Sequence, residues 1–156
     1  MRIIQNKLLP VRGFYLLNLL GFVFVRSDRP MPDMDDLRHE AIHTKQQYEV
    51  VGLGALLGLV VSTYYASWWY VLCAVALPFV LYIIGYISAG VRAIRDFCRH
   101  GAPEGAGTGW VKVRRVVGYV LDAAYYKNWF EREAYEHQYD VNYLVTASVL
   151  SWVKYI

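Results

Sequence analysis

The chain has 156 residues, which is enough for one domain and short for two, and 56% of them are hydrophobic. Its formal net charge of +3 is too small to indicate a nucleic-acid-binding protein. Its two cysteines, Cys73 and Cys98, are too few for a disulfide framework or a cysteine-based metal site. The composition therefore predicts a single domain, residues 1–156, with no nucleic-acid partner.

The first patterned segment is Phe14 to Val25, which is rich in β-prone residues and interrupted by Asn18 and Gly21. We expect a short strand or hairpin here, because about a dozen residues are too few to span a bilayer as a helix. The segment also lacks the small-residue cleavage site of a signal peptide. A proline-containing loop follows, and the acidic residue Asp33 is suited to begin a helix that continues through His43.

From Val50 to Val91 the sequence contains no Asp, Glu, Lys or Arg. A helix that crosses the hydrocarbon core needs about 20 residues, so this run fits two membrane spans. We expect one from about Tyr48 to Tyr65 and another from about Trp68 to Gly90, together a hairpin over about 48–90. Pro78 should kink the second helix without ending it. The remaining chain is too short to wrap two such helices in a soluble core.

The basic residues lie before and after this hairpin, whereas the turn between the two spans, residues 64–70, carries none. Aromatic residues dominate that turn, as is typical of a headgroup interface. Under the positive-inside rule both termini are expected in the cytoplasm. The sequence thus predicts a mainly α-helical integral membrane protein in contact with lipid, with a short N-terminal β element.

The strongest local motif is HExxH, formed by His39, Glu40 and His43. A spacing of four places both imidazoles on one helix face, where they can share a metal ion. Glu40 then lies beside the ion and is suited to take a proton from a bound water. The alternative is a polar helix face with two unrelated histidines.

A catalytic zinc site needs a third protein ligand. The candidates cluster in a predicted helical region from about Val113 to Tyr143, with an interruption near Lys127–Asn128. Glu131 and Glu133 are two residues apart, so they face different sides of a helix and only one can point inward. The other candidates are His100, Glu136, His137 and Asp140.

Taken together, the two motifs resemble the gluzincin metallopeptidases, above all the membrane-embedded HtpX type, in which an ExxA motif follows HExxH on a later helix. They are also similar to short bacterial proteins that share a HExxHxxQ segment, here His39 to Gln46, and a FEREAY segment, here Phe130 to Tyr135. The resemblance implies zinc held by His39, His43 and Glu131, with Glu40 as the general base. Tyr135 stands where the family has an acidic residue that orients a ligand histidine.

The resemblance also implies a function. It indicates a zinc-dependent endopeptidase of the bacterial inner membrane that cleaves peptides or membrane proteins at the cytoplasmic surface. By analogy, Gly21 to Val25 would be the strand edge that holds an extended substrate. Two alternatives stay open: a non-catalytic zinc-binding membrane protein, such as a pseudo-peptidase or structural partner, and a membrane adaptor in which the histidines only pack.

Overall fold

The computed structural model describes residues 1–10, 14–101 and 109–156, with the backbone alone for 109–112. The protein is mainly helical with one small sheet, as the sequence predicts. In chain order the elements are β1 (Arg2–Asn6), β2 (Leu16–Leu19), β3 (Phe22–Arg26), α1 (Met34–Tyr65), α2 (Trp69–Cys73), α3 (Leu77–His100), α4 (Gly109–Tyr126), α5 (Trp129–His137) and α6 (Tyr143–Thr146), with short 3-10 segments at Ala74–Ala76 and Ser151–Tyr155.

The N-terminal sheet has the strand order β1-β3-β2. Strands β2 and β3 form the expected hairpin, which turns at Leu20 and Gly21 with φ of 50° and 86°. Strand β1 pairs in parallel with β3, an element that the local sequence pattern did not reveal. The expectation that Gly21 to Val25 forms a free substrate-binding edge is therefore wrong, because β3 is hydrogen-bonded to a neighbour on both sides.

Helix α1 carries both the HExxH motif and the first apolar segment. It begins at a capping box, in which Asp33 accepts from the Asp36 N–H at 2.8 Å and the Asp36 side chain accepts from the Asp33 N–H. The helix runs without a break for 32 residues, about 48 Å, and ends at Ala66 in the left-handed region. The motif and the apolar segment thus lie on one continuous helix.

The second apolar segment is distorted where Pro78 predicts a kink. Helix α2 passes into the 3-10 turn Ala74–Ala76 immediately before α3, because proline at the start of α3 supplies no N–H. Helix α3 extends to His100, ten residues beyond the predicted end of the span at Gly90.

Two helical stretches, Met34–Tyr65 and Trp69–His100, are long and apolar enough to cross a membrane. In the most apolar part of each, only 22% and 17% of the residues are buried inside the protein. The core helix of a soluble protein would bury most of such a surface. The exposed apolar side chains therefore favour lipid contact.

Glycines allow the two halves of this hairpin to pack closely. A Cβ on Gly58 would lie 2.6 Å from the Tyr70 carbonyl oxygen, and one on Gly54 would lie 2.3 Å from a methyl of Leu77. Real Cβ atoms do not approach other atoms this closely, so at Gly58 helix α1 touches the backbone of α2, and at Gly54 it packs directly on Leu77 and Ala74.

The C-terminal region confirms the predicted interruption at Lys127–Asn128 but not the full length of the helix, since α5 ends at His137. Asn128 caps α5 by accepting from the Phe130 N–H at 3.2 Å, and its amide donates to the Tyr82 carbonyl at 3.0 Å. Gly85 permits this contact, because a Cβ there would lie 2.7 Å from Asn128 Oδ1. Helix α5 is thereby fixed against α3.

Candidate metal centre

Helices α1 and α5 bring three ligand-type side chains together. The Nε2 atoms of His39 and His43 are 3.0 Å apart. One oxygen of Glu131 lies 3.4 Å from His39 Nε2, and the other lies 3.5 Å from His43 Nε2. Within the described part of the chain, these three residues are the group of His, Cys, Asp and Glu placed to share one metal ion.

The spacing of these atoms fits a metal ion. In a tetrahedral site with bonds of about 2.0–2.1 Å, neighbouring ligand atoms are about 3.3 Å apart. Glu131 is 3% exposed, and its Oε2 is buried without a hydrogen-bond partner among the described residues. Leaving a buried carboxylate oxygen without a partner is costly, and a bound cation would remove that cost. Two imidazoles and one carboxylate are a donor set suited to a divalent ion.

The structure places the other predicted candidates away from this centre. Glu133 is fully buried but points into a separate polar cluster. The His137 ring stacks on Tyr143 with centroids 3.7 Å apart, as expected for a histidine packed against tyrosine. His100 lies at the end of α3 and bonds the Asp96 carbonyl, while Glu136 and Asp140 are exposed.

Two glutamines orient the histidines. His39 Nδ1–H donates to Gln138 Oε1 at 3.1 Å, and His43 Nδ1–H donates to Gln46 Oε1 at 2.8 Å. Because an amide oxygen only accepts, each bond fixes a proton on Nδ1, and the neutral form of each ring then directs its Nε2 lone pair at the centre. Tyr135 instead packs its ring on the edge of His39, with centroids 4.6 Å apart. Gln138, three residues after Tyr135, is therefore the residue that orients His39.

The Glu131 carboxylate also accepts a hydrogen bond from the second apolar segment. Tyr82 of α3 donates its hydroxyl proton to Glu131 Oε1 at 2.8 Å. This bond ties the centre to the second apolar segment. Neither Tyr82 nor Gln138 was identified from the sequence, since both lie outside the two motifs and reach the centre only through tertiary packing.

Glu40 lies beside the centre in the charged N-terminal part of α1. Glu40 is 9% exposed. Burial is the largest effect on its carboxyl group and raises the pKa of that group above its ordinary value. The neighbouring His43 and His39 and a hydrogen bond from Asn18 act in the opposite direction. Asn18 of β2 also donates to the Glu40 backbone carbonyl at 2.5 Å, so the sheet holds α1 at this point.

His43 and Glu131 form a strongly coupled pair in the metal-free protein. Burial lowers the pKa of His43, but the Glu131 carboxylate and further contacts outweigh it and raise the pKa to about 9. Burial likewise raises the pKa of Glu131, but His43 and His39 outweigh that effect and lower it. Before metal binding, His43 therefore carries the proton that a cation would displace.

Two cavities flank Glu40, and both are bordered by Phe14, Leu16 and Tyr125. One, of about 250 Å³, lies on the His43 side and has mainly apolar walls that include Phe79 of α3. The other, of about 420 Å³, lies on the His39 side and is more polar. The two spaces lie between β2 and α4, with Glu40 on the border that they share.

No protein-family model, no curated protein and no solved structure matches this chain.

Proposed function

We propose that the protein is a zinc-dependent endopeptidase that cleaves peptide segments at the cytoplasmic surface of the membrane. The observation that carries the proposal is the group of His39, His43 and Glu131, in which His39 and Glu131 are buried and His43 is half-buried. Their ligand atoms lie within 4.8 Å of one another, with Glu40 beside them. A zinc ion held there would acidify water and polarise a carbonyl group.

Glu40 has the properties of the general base. In hydrolysis a water oxygen bonds to the peptide carbonyl carbon, the C–N bond breaks, and one water proton passes to the leaving nitrogen. The Glu40 carboxylate takes that proton first and then donates it, and its raised pKa brings it closer to neutral pH, where such a transfer is efficient. Its place between the two cavities puts it next to any substrate bound across them.

The cavities also indicate the substrate class. Leu17, Phe79 and Phe130 give the His43-side cavity an apolar wall, which suits a bulky apolar side chain next to the scissile bond. Phe79 belongs to the second apolar segment, so this cavity lies against the proposed membrane helices. Apolar segments of membrane proteins or membrane-anchored peptides are thus the expected substrates, and soluble peptides should be poor ones.

The test compares wild-type protein and Glu40→Gln after reconstitution in lipid, with a library of membrane-anchored peptides. We expect about one zinc per chain in both proteins, because Glu40 adjoins the ligands without being one. Hydrolysis by Glu40→Gln should fall at least 10²-fold, the usual value of general-base assistance. Glu136→Gln, an exposed carboxylate on α5, is the matched control and should retain full activity.

Three other outcomes would contradict all or part of this proposal. Equal hydrolysis by wild type and Glu40→Gln would contradict the role of Glu40 as base. Zinc binding without hydrolysis across the library would instead favour a non-catalytic zinc-binding membrane protein. Absence of zinc would indicate that the histidines only pack.

A further inference from the structure

A fully buried polar cluster lies behind the metal centre and is not used by the proposed chemistry. Its centre is Glu133, whose Oε1 accepts from the hydroxyls of Tyr143 and Ser151. Its Oε2 accepts from Gln46 Nε2 at 2.7 Å. Glu133 is 0% exposed and Gln46 is 2% exposed. Burying a carboxylate this deeply costs desolvation free energy, which packing alone does not justify.

The amide of Gln46 has only one favourable orientation in this cluster. Its NH2 group donates to two acceptors, Glu133 Oε2 and the Phe130 carbonyl, the latter at 3.0 Å. Turning the amide over would place its oxygen against both acceptors and leave two buried repulsive contacts. The oxygen of Gln46 must therefore face the remaining neighbour, which is His43 Nδ1 at 2.8 Å.

This orientation determines the tautomer of His43. Because Gln46 presents an acceptor, His43 Nδ1 must carry a proton, and its Nε2 is left as the nitrogen that faces His39 and Glu131. A metal ion needs that Nε2 lone pair. The hydrogen bonds run without a gap from Glu133 through Gln46 to His43.

We infer that Gln46 and Glu133 are positioning residues for the metal centre: Glu133 orients the Gln46 amide, and Gln46 holds His43 with Nδ1 protonated and Nε2 directed at the ion. The inference rests on the proposed metal site but not on peptidase activity.

The decisive variant is Glu133→Gln, measured by zinc affinity in the full-length protein in detergent or lipid. The new side chain can still accept from Tyr143 and Ser151 but presents an NH2 group to Gln46. Ser151 Oγ already accepts from Lys45 Nζ at 2.9 Å, which disfavours turning the new amide so that it donates to the hydroxyls. With the amide at 133 in its first orientation, Gln46 relieves the contact between the two NH2 groups by turning over, and it then offers a donor to His43 Nδ1. We expect zinc affinity to fall 10–100-fold, the usual cost of losing an outer partner of a metal ligand.

A compensating variant separates positioning from simple structural support. In Gln46→Glu with Glu133→Gln, the carboxylate at 46 accepts from both His43 Nδ1–H and the new amide at 133. Zinc affinity should recover at least threefold over Glu133→Gln alone, with incomplete recovery because the Phe130 carbonyl then faces a carboxylate. Tyr143→Phe is the matched control, since it removes a donor to Glu133 Oε1 and leaves Oε2 unchanged.

The spectroscopic readout is the ¹⁵N spectrum of zinc-loaded protein labelled at histidine. Wild type should show a slowly exchanging Nδ1–H signal for His43, identified by its absence in His43→Gln, and Glu133→Gln should lose it. Wild-type affinity and an unchanged signal in both Glu133→Gln and Gln46→Met would overturn the inference, as would a weakened Glu133→Gln that the double variant does not improve.

If Glu133→Gln does not fold, Gln46→Met supplies the same test, because it keeps the length of the side chain and removes the acceptor. A 10–100-fold loss of zinc affinity would support the inference, and unchanged affinity would overturn it. Failure of wild type itself to bind zinc would contradict the proposed function instead, so the two failures are distinguishable.

Discussion

Helix α1 is one continuous helix, but its two halves pack against the rest of the protein in different ways. In the first half, residues 34–47, polar side chains are turned inward against β2 and α5, and His39, Glu40 and Gln46 are buried. In the second half, residues 48–65, the inward positions are Val50, Gly54, Gly58 and Ser62, while the leucines and the other valines are mostly exposed. The site end of α1 is therefore held by directed hydrogen bonds, and the hairpin end is held by close packing at its glycines.

The largest expected effect concerns the metal centre that the first half of α1 forms with α5. Glu131→Ala should lower zinc affinity on the order of 10²–10³-fold, since each ligand contributes a share of the total binding free energy. The fold of the apolar hairpin should be unaffected, as judged by circular dichroism in detergent. Direct titration with zinc and a competing chelator measures the effect.

The control for that prediction is His137→Ala, which removes an imidazole that stacks on Tyr143 outside the centre. Its zinc affinity should stay within a few-fold of wild type. A larger loss in His137→Ala than in Glu131→Ala would mean that the third ligand has been misidentified.

The hairpin half has its own test, the pair Gly58→Ala and Gly52→Ala. A methyl group at position 58 meets the Tyr70 backbone at 2.6 Å, whereas at position 52 it meets nothing within 4 Å. Gly58→Ala should lower the free energy of unfolding by about 1–3 kcal/mol through overpacking. Gly52→Ala should raise it by about 0.5–1 kcal/mol through helix propensity. Unfolding in mixed micelles measures both, and equal stabilities would contradict the packing described for the hairpin.

A third test asks whether the two regions are coupled. Gly85 of α3 lies against the cap of α5, where an added Cβ would be 2.7 Å from Asn128 Oδ1 and 2.9 Å from Trp129 Nε1. Gly85→Ala should shift α5 and therefore lower zinc affinity about tenfold, comparable with losing an outer partner of a ligand. Gly90→Ala, whose Cβ would make an ordinary 3.5 Å contact with Ala124, should leave affinity unchanged. Unchanged affinity in both would show that the span and the centre are independent.

The same contrast explains what the sequence could predict. The uncharged run, the HExxH spacing and the break at Lys127–Asn128 are local signals, so the helices and the candidate residues on them were visible in the chain. The parallel pairing of β1 with β3 is not local and was missed.

Within the candidate site, the sequence again could not predict which distant segments contact each other. Helix period alone cannot distinguish Glu131 from Glu133, because the choice depends on which side of α5 meets α1. The roles of Tyr82 and Gln138 depend on side chains 49 and 99 residues from their partners, Glu131 and His39, and no spacing rule indicates them.

The smallest expected effect is a pH dependence of the metal-free protein. The pKa of His43 is raised from 6.5 to about 9 in the folded state. A group whose pKa is raised by folding contributes stability that is fully present below the unfolded value and is lost as the pH rises through the folded value. The melting temperature of chelator-treated protein should therefore fall by a few degrees between about pH 6.5 and pH 9.

His43→Gln removes the titrating group and should flatten this dependence, so the difference between the two curves isolates His43 from Glu40, whose raised pKa also affects stability. Zinc reverses the trend, because the ion and the proton compete for the same ring, and its affinity should rise with pH across this window. Calorimetry in buffers of different ionisation enthalpy should show proton release on zinc binding at pH 7. A stability curve that is equally steep in His43→Gln would mean that another group carries the dependence.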